Sequence, residues 1–131
     1  SNSAYKMVQT IEVQGFDAFV EAMEAQTAAG KTIFALFSGS NDANGKSWCP
    51  DCVVAEPVVK GAIGKASDDA VFLYVGVGGR DFWKNPQCVF RTDSRTRLRS
   101  VPTLMKIGGP QRLEEEQCAK SDMGEMLFED A

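Results

Sequence analysis

Cys49 and Cys52 stand three positions apart in the stretch SGSNDANGKSWCPDC, residues 38–52. A pair at that spacing can exchange electrons with a disulfide or supply half of a zinc site. The flanks help to decide. The apolar run TIFALF precedes the stretch, and VVAEPVVKGAIGKA, helical in pattern, follows it. Cys49 is therefore expected at a helix N-terminus, facing unpaired backbone N–H groups and the positive end of the helix dipole. Both favour the thiolate, the form that attacks disulfides, and such placement lowers a thiol from ~8.5 towards ~7 or below. The sulfur of Cys49 should be open to solvent. Cys52, one turn further in, should be shielded and able to attack a mixed disulfide once it forms.

The neighbours suggest how the pair is tuned. Pro50 stiffens the turn, and Trp48 is expected to form an apolar lip beside the attacking sulfur. Asp51 suits a helix's first turn, where a bland acid is commonly found; beside two sulfurs it also opposes a second negative charge. Glu56, four residues after Cys52, is a candidate proton acceptor for that thiol, against the plainer reading of a surface-rim acid. Val101-Pro102-Thr103 stands at the entry of an expected strand, where proline is tolerated. A trans loop proline is the plain reading; with the CxxC upstream, a cis bond that presents the Val101 backbone to an extended substrate is expected instead.

Two competing chemistries fare less well. Zinc would need two more ligands, and Cys88 and Cys118 are single and far apart, with no histidine in the chain. They read as inert, Cys118 as a small apolar residue on a helical stripe. Gly39 to Ser47 also approaches a phosphate-binding loop. But five residues separate Gly39 from Gly45 where four are required, and Pro50 opens the helix only after Trp48 and Cys49. The segment reads as a polar surface loop.

The chain has 131 residues, 44% hydrophobic and 24% charged, which suits one domain spanning 1–131. A net charge of −4 argues against a nucleic-acid binder. Arg91, Arg95, Arg97 and Arg99 are interrupted by Asp93 and read as a solvated face. Without histidine, serine–histidine and cysteine–histidine hydrolases are excluded. No apolar run approaches the ~20 residues of a membrane span, and no signal-peptide core opens the chain. Reduced thiols in the cytoplasm, with no membrane association, are expected.

The elements that must position the dithiol follow from periodicity. Val8, Ile11 and Val13 suggest a first strand; Phe16, Phe19, Val20 and Met23 fall at helical spacing. Residues 32–37 and 71–77 are nearly continuous apolar runs, as in strands covered on both faces. A helix is expected over 50–66, interrupted by Pro57, and a short helix opening at Asn85-Pro86. Thr103 to Ile107 is a strand, Gly108-Gly109-Pro110 a turn, and residues 111–115 an edge strand. A last helix is expected to carry Cys118, Ala119, Met123, Met126 and Leu127. The result is an α/β fold, a central mixed sheet flanked by helices on both faces.

Strand, WCxxC, kinked helix and VPT before a hairpin resemble the thioredoxin superfamily, with Pro57 at the kink. The segments GKTIFALFSGS, GKSWCPDCVVAEPVV, FWKNP, VPTLMK and MLFED are similar to its small thioredoxin-related branch. The resemblance implies a cytosolic disulfide reductase with Cys49 as nucleophile and Cys52 as resolving thiol. It implies no bound cofactor, with electrons from NADPH through thioredoxin reductase. Implied substrates are small disulfides such as cystine, or selected protein disulfides, and implied partners extend to the dynein light chain and inflammatory signalling; a monomer is expected. The polar loop before the dithiol is longer than in thioredoxin and would limit docking of large proteins. Thioredoxin's buried aspartate is replaced by Leu36, so the proton path must differ. The competing class is a redox-gated interaction protein with little turnover.

Overall fold

The computed structural model describes residues 8–129, so the opening SNSA and both ends of the expected 1–131 domain lie outside the described residues. The strands are β1 (Gln9–Gln14), β2 (Thr32–Ser38), β3 (Ala70–Gly76), β4 (Thr103–Lys106) and β5 (Arg112–Glu114). They form one sheet in the order β1-β3-β2-β4-β5. β3 runs parallel to both β1 and β2, while β4 and β5 are antiparallel additions on the other side of β2. The long crossovers are helical, as parallel pairing requires: α1 (Phe16–Ala28) links β1 to β2, and α2 (Pro50–Ala62) lies between β2 and β3. The hairpin between β4 and β5 turns on Gly108, whose φ of +85° suits a residue without a Cβ.

The continuous apolar runs have the cause expected of them. Successive side chains of β2 point to opposite faces, and both faces are covered. Ile33, Ala35 and Phe37 pack with Phe19 and Met23 of α1 and with Trp83 and Phe90. Phe34 and Leu36 pack with Ala55 and Val59 of α2 and with Leu127 and Phe128 of α5 (Ser121–Glu129). Edge-to-face aromatic pairs consolidate each side: Phe19 with Phe37 at 5.1 Å, and Phe34 with Phe128 at 4.9 Å between centroids. Each fully buried ring of this kind contributes about 1.5–3 kcal/mol.

Between β3 and β4 the chain forms α3 (Arg80–Lys84) and α4 (Val89–Thr92). No helix opens at Asn85-Pro86. Asn85 ends α3 with extended backbone, and its side-chain oxygen accepts the Gln87 N–H at 2.9 Å, an Asx turn that competes with helix initiation. The expected helix over 50–66 is α2 followed by a 3-10 turn, Ile63–Lys65. Cys118 is also placed differently. It lies in a separate 3-10 helix, Glu115–Ala119, ahead of α5, because Glu114 and Gln117 form a reciprocal capping box that starts a new helix there.

Candidate functional site

The site begins where β2 ends. Ser38 closes the strand, and the chain then makes a small hairpin before returning to α2. Asn41 and Ser47 pair across it, and Asp42 Oδ1 accepts the N–H groups of Asn44 at 2.8 Å and Lys46 at 3.2 Å. The segment read from sequence as a polar loop is therefore an ordered hairpin with side-chain anchors. Ser40 Oγ takes the Gly78 N–H at 2.9 Å and donates to Gln14, fixing the hairpin to the neighbouring strand ends. Ser47 Oγ donates to the Gly39 carbonyl at 2.7 Å and accepts the Cys49 N–H at 3.1 Å.

Trp48, half-buried, donates its indole N–H to the Gly78 carbonyl at 2.9 Å. Its ring lies so close to Gly39 that a Cβ there would come within 2.6 Å of it. Glycine at 39 thus lets the backbone approach the indole. That approach matters because Gly39 N–H points at the Cys52 sulfur at 3.5 Å.

Cys49 is the N-cap of α2, with extended backbone (φ −100°, ψ 107°), and Pro50 occupies the first helical position. Proline's fixed φ and missing N–H suit that position. The Cys49 sulfur accepts the Cys52 N–H at 3.2 Å, taking the place that a serine or aspartate oxygen usually fills at a helix start. Cys49 and Cys52 form a disulfide, their Cα atoms 5.2 Å apart. The expectation of a solvent-open Cys49 needs correction. The residue is 5% exposed and Cys52 1%, both packed in the core cluster that includes Val101, with Trp48 against it. Cys49 is reached through a groove.

That groove, about 440 Å3, is lined by Trp48, Cys49, Pro50 and Asp51 on the helix side. Arg80, Trp83 and Lys84 of α3, and Arg99, Ser100 and Val101 before β4, form its other sides. Asp51 is exposed at its rim. The Val101–Pro102 peptide is cis. The Val101 carbonyl lies 3.8 Å from the Cys49 sulfur. The Pro102 carbonyl is gripped from behind, by Glu115 N–H at 2.9 Å and by the Cys118 thiol at 3.7 Å.

Glu56 is otherwise engaged. Its carboxylate accepts the Tyr74 hydroxyl at 2.6 Å and the Lys60 ammonium at 2.9 Å. Burial pushes this carboxyl up, but Tyr74 and Lys60 outweigh it and hold the group below its ordinary value. A carboxylate held in this way is a poor proton acceptor, and the sulfur of Cys52 is met by Gly39 N–H instead. Leu36 is fully buried beside Tyr74 in register across β2 and β3. Cys88 and Cys118 are both buried and free. Burial pushes the Cys118 thiol up to about 12, with the Glu114 charge adding to the effect. Among the described residues no three acidic, histidine or cysteine side chains converge as a metal site, and no helix is long and apolar enough to cross a membrane.

Residues 12–130 match the family profile described as thioredoxin domain-containing protein 17-like, thioredoxin domain. The chain belongs to this thioredoxin family. Its fold is thioredoxin-like, and its CxxC pair is closed as a disulfide. The chain is 48% identical to thioredoxin domain-containing protein 17 of Homo sapiens and 46% identical to that of Mus musculus, covering 92% of this chain and 94% of each relative. The germline-specific thioredoxin Deadhead of Drosophila melanogaster aligns at 25% identity and a TM-score of 0.47, over 79% of this chain and 81% of that one.

The sequence reading missed two parts of this site: the Gly39 N–H donor and the α3 wall. Gly39 follows the last strand residue directly, which signals a close backbone approach. Trp83, beside Phe82 within the charged stretch RDFWK, was the signal for the wall.

Proposed function

We propose that this thioredoxin-family protein is a disulfide reductase in which Cys49 is the nucleophile and Cys52 the resolving thiol. The observation that carries the reading is the Cys49 sulfur at the start of α2, accepting the Cys52 N–H at 3.2 Å and lining an open groove. In the reduced protein that N–H stabilises a Cys49 thiolate. The thiolate attacks one sulfur of a substrate disulfide, forming a mixed disulfide and releasing the other half as a thiolate. Cys52 then loses its proton to solvent and attacks the Cys49 sulfur. The Cys49–Cys52 bond forms, the second substrate half leaves, and two electrons have passed to the substrate.

Trp48, Pro50 and Asp51 tune and shape the approach, and the Val101-Pro102 segment offers a backbone carbonyl to the substrate. α3 on one side and residues 99–101 on another enclose the groove beside Cys49, which supports restricted or small disulfides as clients. In this reading no cofactor is bound, and NADPH recharges the dithiol through thioredoxin reductase in the cytoplasm. The test is turnover of cystine with NADPH and thioredoxin reductase. Sustained NADPH consumption that requires Cys49 supports the reading; consumption at the background rate with thioredoxin reductase active towards a control substrate sinks it.

A further inference from the structure

The groove beside Cys49 has unlike walls. On the α3 side, Trp83 is buried and held in place: the Arg91 guanidinium stacks 3.9 Å from its ring and donates through Nε to its carbonyl at 2.7 Å. Arg80 and Lys84 flank that fixed indole, four residues apart and so on one helical face. Both are exposed, and neither has an ion-pair partner among the described residues. Arg99, across the groove, is different. Its Nε and Nη2 bind Glu114 at 3.1 and 2.5 Å, so its charge is already answered. The two carboxylates that line the groove, Asp51 and Glu115, come from other elements. One wall therefore presents two unpaired cations near the reacting sulfur.

We propose that Arg80 and Lys84 are specificity residues that bind a carboxylate of a small disulfide while its sulfur docks on Cys49. This rests on the reductase reading above. A groove of about 440 Å3 is within the range that encloses small ligands. A carboxylate held on α3 leaves the near sulfur of the disulfide for the Cys49 thiolate. The far half departs as a thiolate in the first step; the carboxylate-anchored half departs when Cys52 attacks Cys49. Two electrons leave the dithiol in total, and no further reactant is needed. Because both cations are exposed, the preference falls with ionic strength.

The test uses the pre-reduced full chain and three disulfides of similar size: dithiodipropionate, bis(2-hydroxyethyl) disulfide and cystamine, which are anionic, neutral and cationic. The second-order rate of protein thiol loss is divided by the rate of the same disulfide with dithiothreitol. At low salt the order expected is anionic, then neutral, then cationic, with an anion-to-cation ratio of roughly tenfold or more. The double variant Arg80→Gln/Lys84→Gln and, separately, added salt on the unaltered protein should each bring that ratio towards one. Equal normalised rates in the unaltered protein, or a ratio that survives both the double variant and salt, overturn the assignment. If the neutral disulfide also fails to oxidise the Cys49–Cys52 pair, the reductase reading falls and takes this one with it; if the neutral disulfide reacts, only the charge selection is at stake.

Discussion

All four cysteines are buried, between 1% and 5% exposed, so burial does not separate the redox pair from the other two. What separates Cys118 is that nothing there offsets burial: a backbone hydrogen bond from Leu104 lowers its thiol, but burial, with the Glu114 charge, outweighs it. The sulfurs of Cys49 and Cys52 each meet an N–H, from Cys52 and Gly39 respectively, and that of Cys49 also meets the Val101 carbonyl at 3.8 Å. The sulfur of Cys118 meets carbonyl oxygens, Leu113 at 3.4 Å and Pro102 at 3.7 Å. An N–H stabilises the charged sulfur; a carbonyl stabilises the protonated one. The same residue type thus becomes a candidate nucleophile in one place and a thiol pinned in its neutral form in the other. Cys118 still touches the site indirectly, since it grips the carbonyl of Pro102 on the far side of the groove wall.

The strongest way to break this contrast is to remove the reacting sulfur. Cys49→Ser should reduce turnover to background in the coupled NADPH assay, and retained turnover would move the chemistry to another residue. Cys52→Ser should trap the intermediate, seen by intact mass as substrate adducts on Cys49; a clean spectrum after exposure to disulfide would remove Cys52 as the resolving thiol. Next comes alkylation. A thiol near 12 is ionised to about one part in 100,000 at pH 7. Iodoacetamide should therefore modify Cys49 in the reduced protein and leave Cys118 unmodified until the chain is unfolded, and peptide mapping that finds Cys118 labelled first would erase the distinction.

A smaller effect tests the donor at Gly39. Gly39→Ala would push a methyl into the Trp48 ring, and overpacking of this kind costs about 1–3 kcal/mol. Thermal melts should show the loss, and the reactivity of Cys52 should change with it. Unchanged stability would mean that the indole moves aside freely. The smallest effect concerns Glu56. Its carboxyl is held below the ordinary value, so its contribution to stability is present above about 4.3 and is lost as pH falls through the lowered value. Glu56→Gln should flatten the acid limb of a stability–pH curve while leaving turnover nearly intact. A large fall in turnover would restore Glu56 to the proton path.

The sheet and the dithiol were legible because each is signalled locally. Residues 32–37 and 71–77 carry the apolar runs of doubly covered strands, and the spacing of Cys49 and Cys52 with Pro50 at a helix start is a short-range pattern. The misplaced features depend on partners distant in sequence or on competing caps. Glu56 looks like a free acid until Tyr74, 18 residues away, is brought against it. Cys118 fits the apolar stripe of α5 until the Glu114–Gln117 box starts a separate helix. Asn85-Pro86 resembles a helix start, but the Asn85 side chain turns the chain locally. The near-burial of Cys49 likewise follows from packing with residues distant in sequence, Val101 among them, which no local pattern reports.

The donors that meet the two redox sulfurs are main-chain groups, of Gly39 and Cys52. Ordinary side-chain replacement leaves such groups in place, so drift at the surrounding surface can alter which molecules are admitted while the electronic setting of the sulfurs persists. Protein engineers seeking to retune that setting would have to edit the path of the chain itself, for instance by introducing proline at position 39, where it would delete an N–H outright.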